Sequence, residues 1–316
     1  MSTAREGGRA YADAVNAAFD EIFTAILDNQ DLQSGTEFDF ARDLKKLFDA
    51  RSEAWYEEPH ELLNQQGLSA YLNSLDQDSV LEFLLGISET TDYALPESVK
   101  ALLLSLTPEK REAYLSLILA ISPEAESDSP ERLREIYRVN QLLPLVQLWP
   151  EPAIIDRVLA WFLAVEEPDE RIADALGNYL KALGVQAALP LIEHISTELD
   201  GDRADKNGTD YLVQDLTSIS KFDESLRDRV YPILRKAFRV MSNKTIPVLC
   251  LGDFGTARAI PLLRTYVEQN ASSIDRALYY DIMSAIQRLG GSTKDLPDPF
   301  GDFTRKGPQG PKIVEI

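Results

Sequence analysis

Apolar side chains recur at spacings of three and four residues along most of this chain. The first clear stripe runs from Tyr11 to Ile26 and would occupy one face of a helix. It consists of Tyr11, Ala14, Val15, Ala18, Phe19, Ile22, Phe23 and Ile26. The same period returns over 97–106, 109–121, 131–148, 154–165, 169–183, 226–241 and 273–289. No run of strictly alternating apolar and polar residues suggests a strand, so the pattern predicts an all-α fold.

Three tripeptides mark where predicted helices begin. They are Thr107-Pro108-Glu109, Ser122-Pro123-Glu124 and Ser129-Pro130-Glu131. The hydroxyl can accept a hydrogen bond from the first turn, and proline at the first helical position lacks an N–H that would have no partner there. The glutamate suits the positive end of the helix dipole. Each tripeptide therefore predicts a helix N-terminus.

Two nine-residue segments repeat each other without gaps. The segment GVQAALPLI starts at Gly184 and the segment GTARAIPLL starts at Gly255. Glycine, alanine, an aliphatic residue and proline fall at the same offsets, so Gly184 and Pro190 correspond to Gly255 and Pro261, and Ala259 is the alanine of the second copy. Glycine can adopt the left-handed conformation that ends a helix, and proline near a helix start costs no hydrogen bond. We interpret these residues as structural.

This pattern resembles the HEAT-like repeat family, in which leucine-glycine and a short turn precede an alanine, a proline and an amphipathic helix. The resemblance covers Asp169 to Gly290 and implies an α-solenoid of stacked antiparallel helix pairs. It suggests three parts: an acidic helical part at 1–130, HEAT-like repeats at 131–290, and an extended or disordered tail at 291–316. Four prolines and four glycines after Gly290 support the last of these. Phe300, Phe303, Ile313 and Ile316 are the tail residues that could dock on the helices.

The tripeptide Asp253-Phe254-Gly255 matches the magnesium-binding motif of protein kinases, but its surroundings do not. No glycine-rich loop, strand lysine or His-Arg-Asp segment precedes it. We expect Asp253 in a turn and Phe254 where Leu183 stands in the first copy. Zinc sites need three or four ligands, and the chain has only His60, His194 and Cys250 besides its carboxylates. We therefore expect no catalytic, cofactor-binding or metal-binding residues.

The charge of the chain is strongly uneven. The net charge is −20, and the part from Met1 to Leu180 carries all of it. Such a field repels nucleic acid and attracts basic partners. No apolar run approaches the ~20 residues of a membrane span, and the N-terminus lacks the pattern of a secretory signal. With a single cysteine, these features favour a cytoplasmic protein without a membrane segment.

These observations predict a non-enzymatic scaffold or inhibitor that binds a basic partner protein through an acidic concave surface. An immunity-type protein that covers a basic toxin would be one form of it. The cluster Trp55, Tyr56, Glu57 and Glu58 combines aromatic and acidic side chains, as interaction hot spots do. A helix end packed on its neighbour would have the same composition.

Two alternatives remain open. Some proteins similar to this repeat family are enzymes, such as bilin lyases and DNA glycosylases, although a glycosylase needs a basic groove. The segment 221–244 contains seven basic and three acidic residues. Its Arg235, Lys236 and Arg239 could contact RNA or another anion, or they could pair with acids of neighbouring helices.

Overall fold

The described part of the chain is mostly helical. The computed structural model describes residues 3–28, 37–122, 128–146, 149, 153–165, 167–201, 203–221 and 223–302. Over these residues it has fifteen α-helices, two 3-10 helices and no strand. The predicted all-α class is confirmed.

The helices fall into two compact units, Met1–Ala182 and Leu183–Ile316. The first unit is built from α1 (Ala4–Leu27), α2 (Glu37–Glu57), α3 (Leu68–Ser74), α4 (Gln77–Ser88), α5 (Glu97–Leu104), α6 (Pro108–Ile118), α7 (Pro130–Val146), α8 (Ala153–Ala164) and α9 (Glu170–Leu183). The second contains α10 (Val185–Asp200), α11 (Asn207–Ser220), α12 (Glu224–Val240), α13 (Thr245–Phe254), α14 (Ile260–Asn270) and α15 (Arg276–Arg288). This division follows compactness, and the repeat-based boundaries at 130 and 290 stay predictions.

Two of the three predicted helix starts are confirmed. Thr107 caps α6 and accepts from the backbone N–H of Lys110, with Pro108 at the first helical position. The Ser129 hydroxyl accepts from the backbone N–H of Arg132 at 3.1 Å, and α7 begins at Pro130. The remaining site, at Ser122, adjoins 123–127, which lie outside the described residues.

In the first unit, α1 and α4 touch along their backbones. Gly8 of α1 faces Phe83 and Ile87 of α4, and Gly86 of α4 faces Arg5 and its neighbours on α1. A Cβ atom at either glycine would lie within 3.0 Å of a carbonyl oxygen of the other helix. Only residues without a Cβ allow this separation, so the two glycines set the distance between the helices.

A buried carboxylate holds the same two helices in register. Glu89 follows α4 directly and accepts hydrogen bonds from the guanidinium groups of Arg5 and Arg9 on α1, the latter at 2.9 Å. Arg138 of α7 approaches it at 3.8 Å. Burial alone would raise the pKa of Glu89, but the hydrogen bonds and charges of Arg5 and Arg9 outweigh burial and hold the pKa below its usual value.

In the second unit, helices that alternate in the chain pack on each other. Thus α10 packs on α12, α11 on α13 and α13 on α15, and Phe238 of α12 meets Tyr266 of α14 edge to face, with ring centroids 5.2 Å apart. Consecutive helices also pack on each other, α10 on α11, α11 on α12 and α12 on α13.

The two copies of the nine-residue motif differ in their glycine conformation and in their helix starts. Gly255 has ψ 28° and adopts the predicted left-handed conformation, whereas Gly184 has ψ −126° and does not, so the prediction is wrong at 184. Gly184 and Gly255 both have positive φ, 57° and 72°, and Ala259 is fully buried. Pro261 lies in the first turn of α14, where it costs no hydrogen bond. Pro190 instead lies inside α10, which begins at Val185. The prediction that proline costs no hydrogen bond is therefore wrong at 190, because its ring removes an internal helical donor.

The tripeptide Asp253-Phe254-Gly255 is the end of a helix. Asp253 and Phe254 belong to α13, and Gly255 ends the helix in the left-handed conformation. Phe254 is 1% exposed, and Asp253 pairs with Arg288 of α15. Asp253 was expected in a turn; it lies in the last helical turn because Gly255 alone supplies the reversal.

The described part of the tail, 291–302, contains no helix and packs on the second unit. The Tyr279 hydroxyl donates to the Pro297 carbonyl at 2.9 Å, and the Tyr279 ring lies 5.5 Å from the Phe300 ring. Arg276 pairs with Asp302 at 2.6 Å. Phe300 thus docks on α15, whereas Phe303, Ile313 and Ile316 lie outside the described residues.

Replacing Gly8 with alanine should separate α1 from α4. The added methyl group would meet the Phe83 carbonyl, so we expect a loss of about 2–3 kcal/mol in the free energy of unfolding, measured with urea. Gly7→Ala is the matched control, because its Cβ would lie 3.8 Å from the Phe83 ring and should stabilise the helix by ~0.5 kcal/mol. Equal effects of the two substitutions would show that Gly8 does not set the helix separation.

Replacing Glu89 with glutamine should make the free energy of unfolding less dependent on pH in the acidic range. A lowered folded pKa adds stability that is complete above the unfolded pKa, near 4.5, and is lost as pH falls through the folded value. We expect Glu89→Gln to cost about 2 kcal/mol at pH 7 and progressively less below pH 4.5, by urea unfolding. The control Glu82→Gln removes a more exposed carboxylate 3.6 Å from Arg5 and should change little. A cost at Glu89 that is the same at pH 7 and pH 3 would contradict this role.

Candidate functional site

The aromatic pair predicted for partner binding is divided between surface and core. Tyr56 is 1% exposed, and its hydroxyl donates to the Ala94 carbonyl at 3.1 Å. Trp55 is half-buried, and its ring lies 4.1 Å from the His60 ring and 5.7 Å from Tyr11. Trp55 alone of the pair retains surface that a partner could reach.

The two acidic residues of the same cluster also differ. Glu57 is exposed and accepts hydrogen bonds from the hydroxyls of Ser69 and Ser98, so it ties the end of α2 to α3 and α5. Glu58 is exposed. The cluster therefore has a structural half, Tyr56 with Glu57, and an accessible half, Trp55 with Glu58, for which partner binding stays a prediction.

A polar cleft forms where α1 passes the segment after α4. Its volume is about 280 Å³. It is lined by Asn16, Asp20, Thr90, Thr91, Asp92, Tyr93 and Tyr137. We call it the acidic cleft, because Asp20 and Asp92 are its carboxylates and no lysine or arginine among the described residues lines it.

Hydrogen bonds with two helices, α1 and α7, hold the segment after α4 that forms a wall of the acidic cleft. The Asn16 amide donates to the Thr90 carbonyl at 3.2 Å, and the Tyr93 hydroxyl donates to the Asp20 carboxylate at 2.8 Å. Gln141 of α7 donates to the carbonyl groups of Thr91 and Tyr93, the latter at 2.9 Å. The segment after α4 is thus held against α1 on one side and α7 on the other.

The Tyr93 hydroxyl adds no negative charge to the cleft at neutral pH. Burial and then the hydrogen bond to Asp20 raise the pKa of Tyr93 to about 12, so its hydroxyl remains a neutral donor. Asp20 and Asp92 are both exposed to solvent. Two exposed carboxylates beside fixed hydroxyl and carbonyl groups suit an ammonium or guanidinium group, which carries several hydrogen-bond donors.

A second recess continues the acidic surface along α1. It measures about 370 Å³ and is lined by Asp20, Glu21, Thr24, Ala25 and Asp28. Phe23 and Leu27, on the same helix, are 41% and 38% exposed. Asp20 lines both recesses, so their carboxylates form one acidic surface along α1. Apolar side chains lie beside this surface, as they often do in surfaces that bind partners.

The predicted basic residues do not form one site. Arg235 is exposed, and Lys236 pairs with Asp200 of α10. Arg239 lines a separate recess of about 310 Å³ together with Lys244 and Tyr266. Lys236 therefore pairs with an acid of a neighbouring helix, as one of the two alternatives expected. Arg239 instead lines the recess.

Cys250, Asp210 and His194 have perturbed pKa values and line none of these recesses. Burial raises the pKa of Cys250 to about 12, and burial with the neighbouring Asp205 raises that of Asp210 to about 6. Burial lowers the pKa of His194. In the described ranges, no three His, Cys, Asp or Glu side chains come together as a metal site would require. None of the described helices is long and apolar enough to cross a membrane.

Comparison with known proteins found no matching protein-family model, no matching curated protein and no matching solved structure. The resemblance to HEAT-like repeats therefore rests on the residues of this chain alone.

Replacing Asp210 with asparagine should stabilise the protein at high pH. A raised folded pKa means that ionisation opposes folding, so stability should rise as pH falls from above 6 towards the unfolded pKa near 3.8. We expect Asp210→Asn to add about 1 kcal/mol at pH 8 and almost nothing at pH 4, measured by urea unfolding. Asp205→Asn provides a control of opposite sign, because hydrogen bonds from Ser242 lower the pKa of Asp205. Loss of stability in Asp210→Asn at pH 8 would contradict the assignment.

Proposed function

We propose that this chain is a non-enzymatic scaffold or inhibitor, built as an α-solenoid, that binds a basic partner protein. The solenoid part of the proposal is supported by the second unit, where each of several helices packs on the next helix in the chain and on the one after it. Stacked helix pairs of this kind offer extended surfaces that hold partners. The HEAT-like resemblance, with positive φ at Gly184 and Gly255, favours the same arrangement.

The acidic cleft is the observation that carries the partner proposal. Its carboxylates, Asp20 and Asp92, are exposed, and in the described part of the chain no lysine or arginine lines the cleft or the adjoining recess on α1. By contrast, the buried Glu89 is saturated by arginines of its own chain. Carboxylates that lack internal cations are the ones that lysine or arginine side chains of a partner can approach without displacing an existing pair.

The charge distribution adds a long-range component to this local one. All of the −20 net charge belongs to the part from Met1 to Leu180, which includes the cleft. Such a field speeds the approach of a basic partner and weakens as salt is added. Phe23 and Leu27 beside the carboxylates would supply apolar contact once the partner is oriented.

Neutralising the acidic cleft should weaken binding of a basic peptide. Decalysine serves as the probe and decaglutamate as the control for sign, both measured by calorimetry at 150 mM salt. We expect Asp20→Asn combined with Asp92→Asn to weaken decalysine binding about tenfold, since each lost charge contact contributes up to ~1 kcal/mol. The hydrogen bond from Tyr93 can persist, because asparagine also accepts at this position.

A matched double variant separates the cleft from the overall charge. Glu53→Gln with Asp174→Asn removes the same charge from exposed residues of α2 and α9 that line neither recess. It should change decalysine affinity by less than about twofold at 150 mM salt, where distant charges are screened. Equal losses in the two double variants, or equal affinity for decalysine and decaglutamate, would refute the cleft as the binding site.

A further inference from the structure

The recess at the end of α12 is positively charged in an otherwise acidic chain. Phe238 and Arg239 come from the last turn of α12, Lys244 precedes α13, and Tyr266 and Gln269 come from α14. Its volume of about 310 Å³ lies at the lower end of the range for small-molecule sites. We call it the basic recess.

Lys244 is held in a fixed position in the basic recess. Its ammonium group donates to the Arg239 carbonyl at 3.1 Å and to the Met241 carbonyl, and it lies 5.9 Å from the centre of the Phe238 ring. An ammonium has three hydrogen-bond donors, so these two bonds leave one donor for a ligand. Asp205 is a nearby acid whose charge attracts Lys244. Its carboxylate accepts hydrogen bonds from the backbone N–H and the hydroxyl of Ser242.

Arg239 contrasts with most arginines of its unit. Arg258, Arg264 and Arg276 each pair with an aspartate, Asp228, Asp295 and Asp302 respectively. Arg239 is exposed and pairs with no carboxylate among the described residues. Its planar guanidinium therefore remains able to bind a bidentate anion such as phosphate.

Two aromatic side chains, Phe238 and Tyr266, also line the basic recess. The Phe238 ring is buried, and Tyr266 stands against it edge to face at 69° between the ring planes. Tyr266 is itself half-buried, so part of its ring lines the recess. Thr265 and Gln269 add exposed hydrogen-bonding groups to the recess. A planar ring that carries polar edge atoms would be complementary to these side chains.

We propose that the basic recess binds a nucleoside monophosphate group, with the phosphate on Arg239 and Lys244 and the base against Tyr266. A carboxylate ligand would need only one arginine. The presence of two cations, Arg239 and Lys244, therefore favours a phosphate as the ligand. The small volume limits the site to one nucleotide. The group can come from a free nucleotide or from one position of a single strand.

The test compares two arginines of one helix. The probes are AMP, adenosine, inorganic phosphate and a short single-stranded oligoadenylate, titrated into the full chain and followed by calorimetry at 50 mM salt. We expect AMP to bind more tightly than adenosine or inorganic phosphate, and Arg239→Gln to weaken AMP about tenfold. Arg235 is exposed on the same helix but lies outside the recess, so Arg235→Gln should change the affinity for AMP by less than twofold. Equal losses in both variants, or no AMP binding at 5 mM, would overturn the proposal.

Two further measurements make the outcome specific. Tyr266→Leu should weaken AMP several-fold and leave inorganic phosphate unchanged, whereas equal losses for both would overturn the stacking role. Circular dichroism and urea unfolding of each variant identify effects of folding alone. Oligoadenylate that binds no more tightly than AMP supports a free nucleotide, and binding at least tenfold tighter supports a single strand.

Discussion

The backbone contact between α1 and α4 sets the register of the two helices, and the position of the acidic cleft depends on that register. Gly8 and Gly86 let the two helices approach until carbonyl oxygens of one face the Cα atoms of the other. Contacts then advance in the same direction on both helices, from Arg5 with Glu82 to Asn16 with Thr90. The helices therefore run parallel, and their register carries Asp20 to the segment that follows α4.

This register separates two kinds of acid. Glu89 lies where α1 presents Arg5 and Arg9, so its charge is neutralised inside the fold. Asp20, farther along α1, lies beyond these arginines and meets Tyr93 instead. A buried ion cluster adds little net stability because desolvation offsets its attraction, but breaking it is costly. Its physical effect is to fix the register, and the register is what leaves the acidic cleft without cations.

Sequence patterns predicted the helices well and the cleft not at all. The stripe from Tyr11 to Ile26 and the caps at Thr107 and Ser129 are local signals, readable within a few residues. The cleft joins Asp20 to Tyr93, which are far apart in the chain, and no local pattern contains that pairing. The charge bias towards the N-terminal side of the chain indicated the sign of a binding surface but not its place.

Glycine and proline show the same limit at closer range. A glycine inside a helix usually only lowers its stability. Gly8 therefore did not indicate a close helix contact, because its partner on α4 is distant in the sequence. The glycines at 184 and 255 share positive φ, yet Pro190 and Pro261 differ because a 3-10 turn at Ala257–Ala259 delays the start of α14. The second copy has room for that turn before its helix, whereas α10 begins directly after Gly184.

The two proposed sites are compatible because electrostatic influence is short-ranged in salt. At physiological ionic strength, charges on the surface are screened over about 8 Å. A site is then governed by the groups within and beside it, not by the net charge of the chain. In the acidic cleft these groups are carboxylates without cations, and in the basic recess they are Arg239 and Lys244 with Asp205 engaged by Ser242. The −20 net charge of the chain therefore does not exclude an anion from the basic recess.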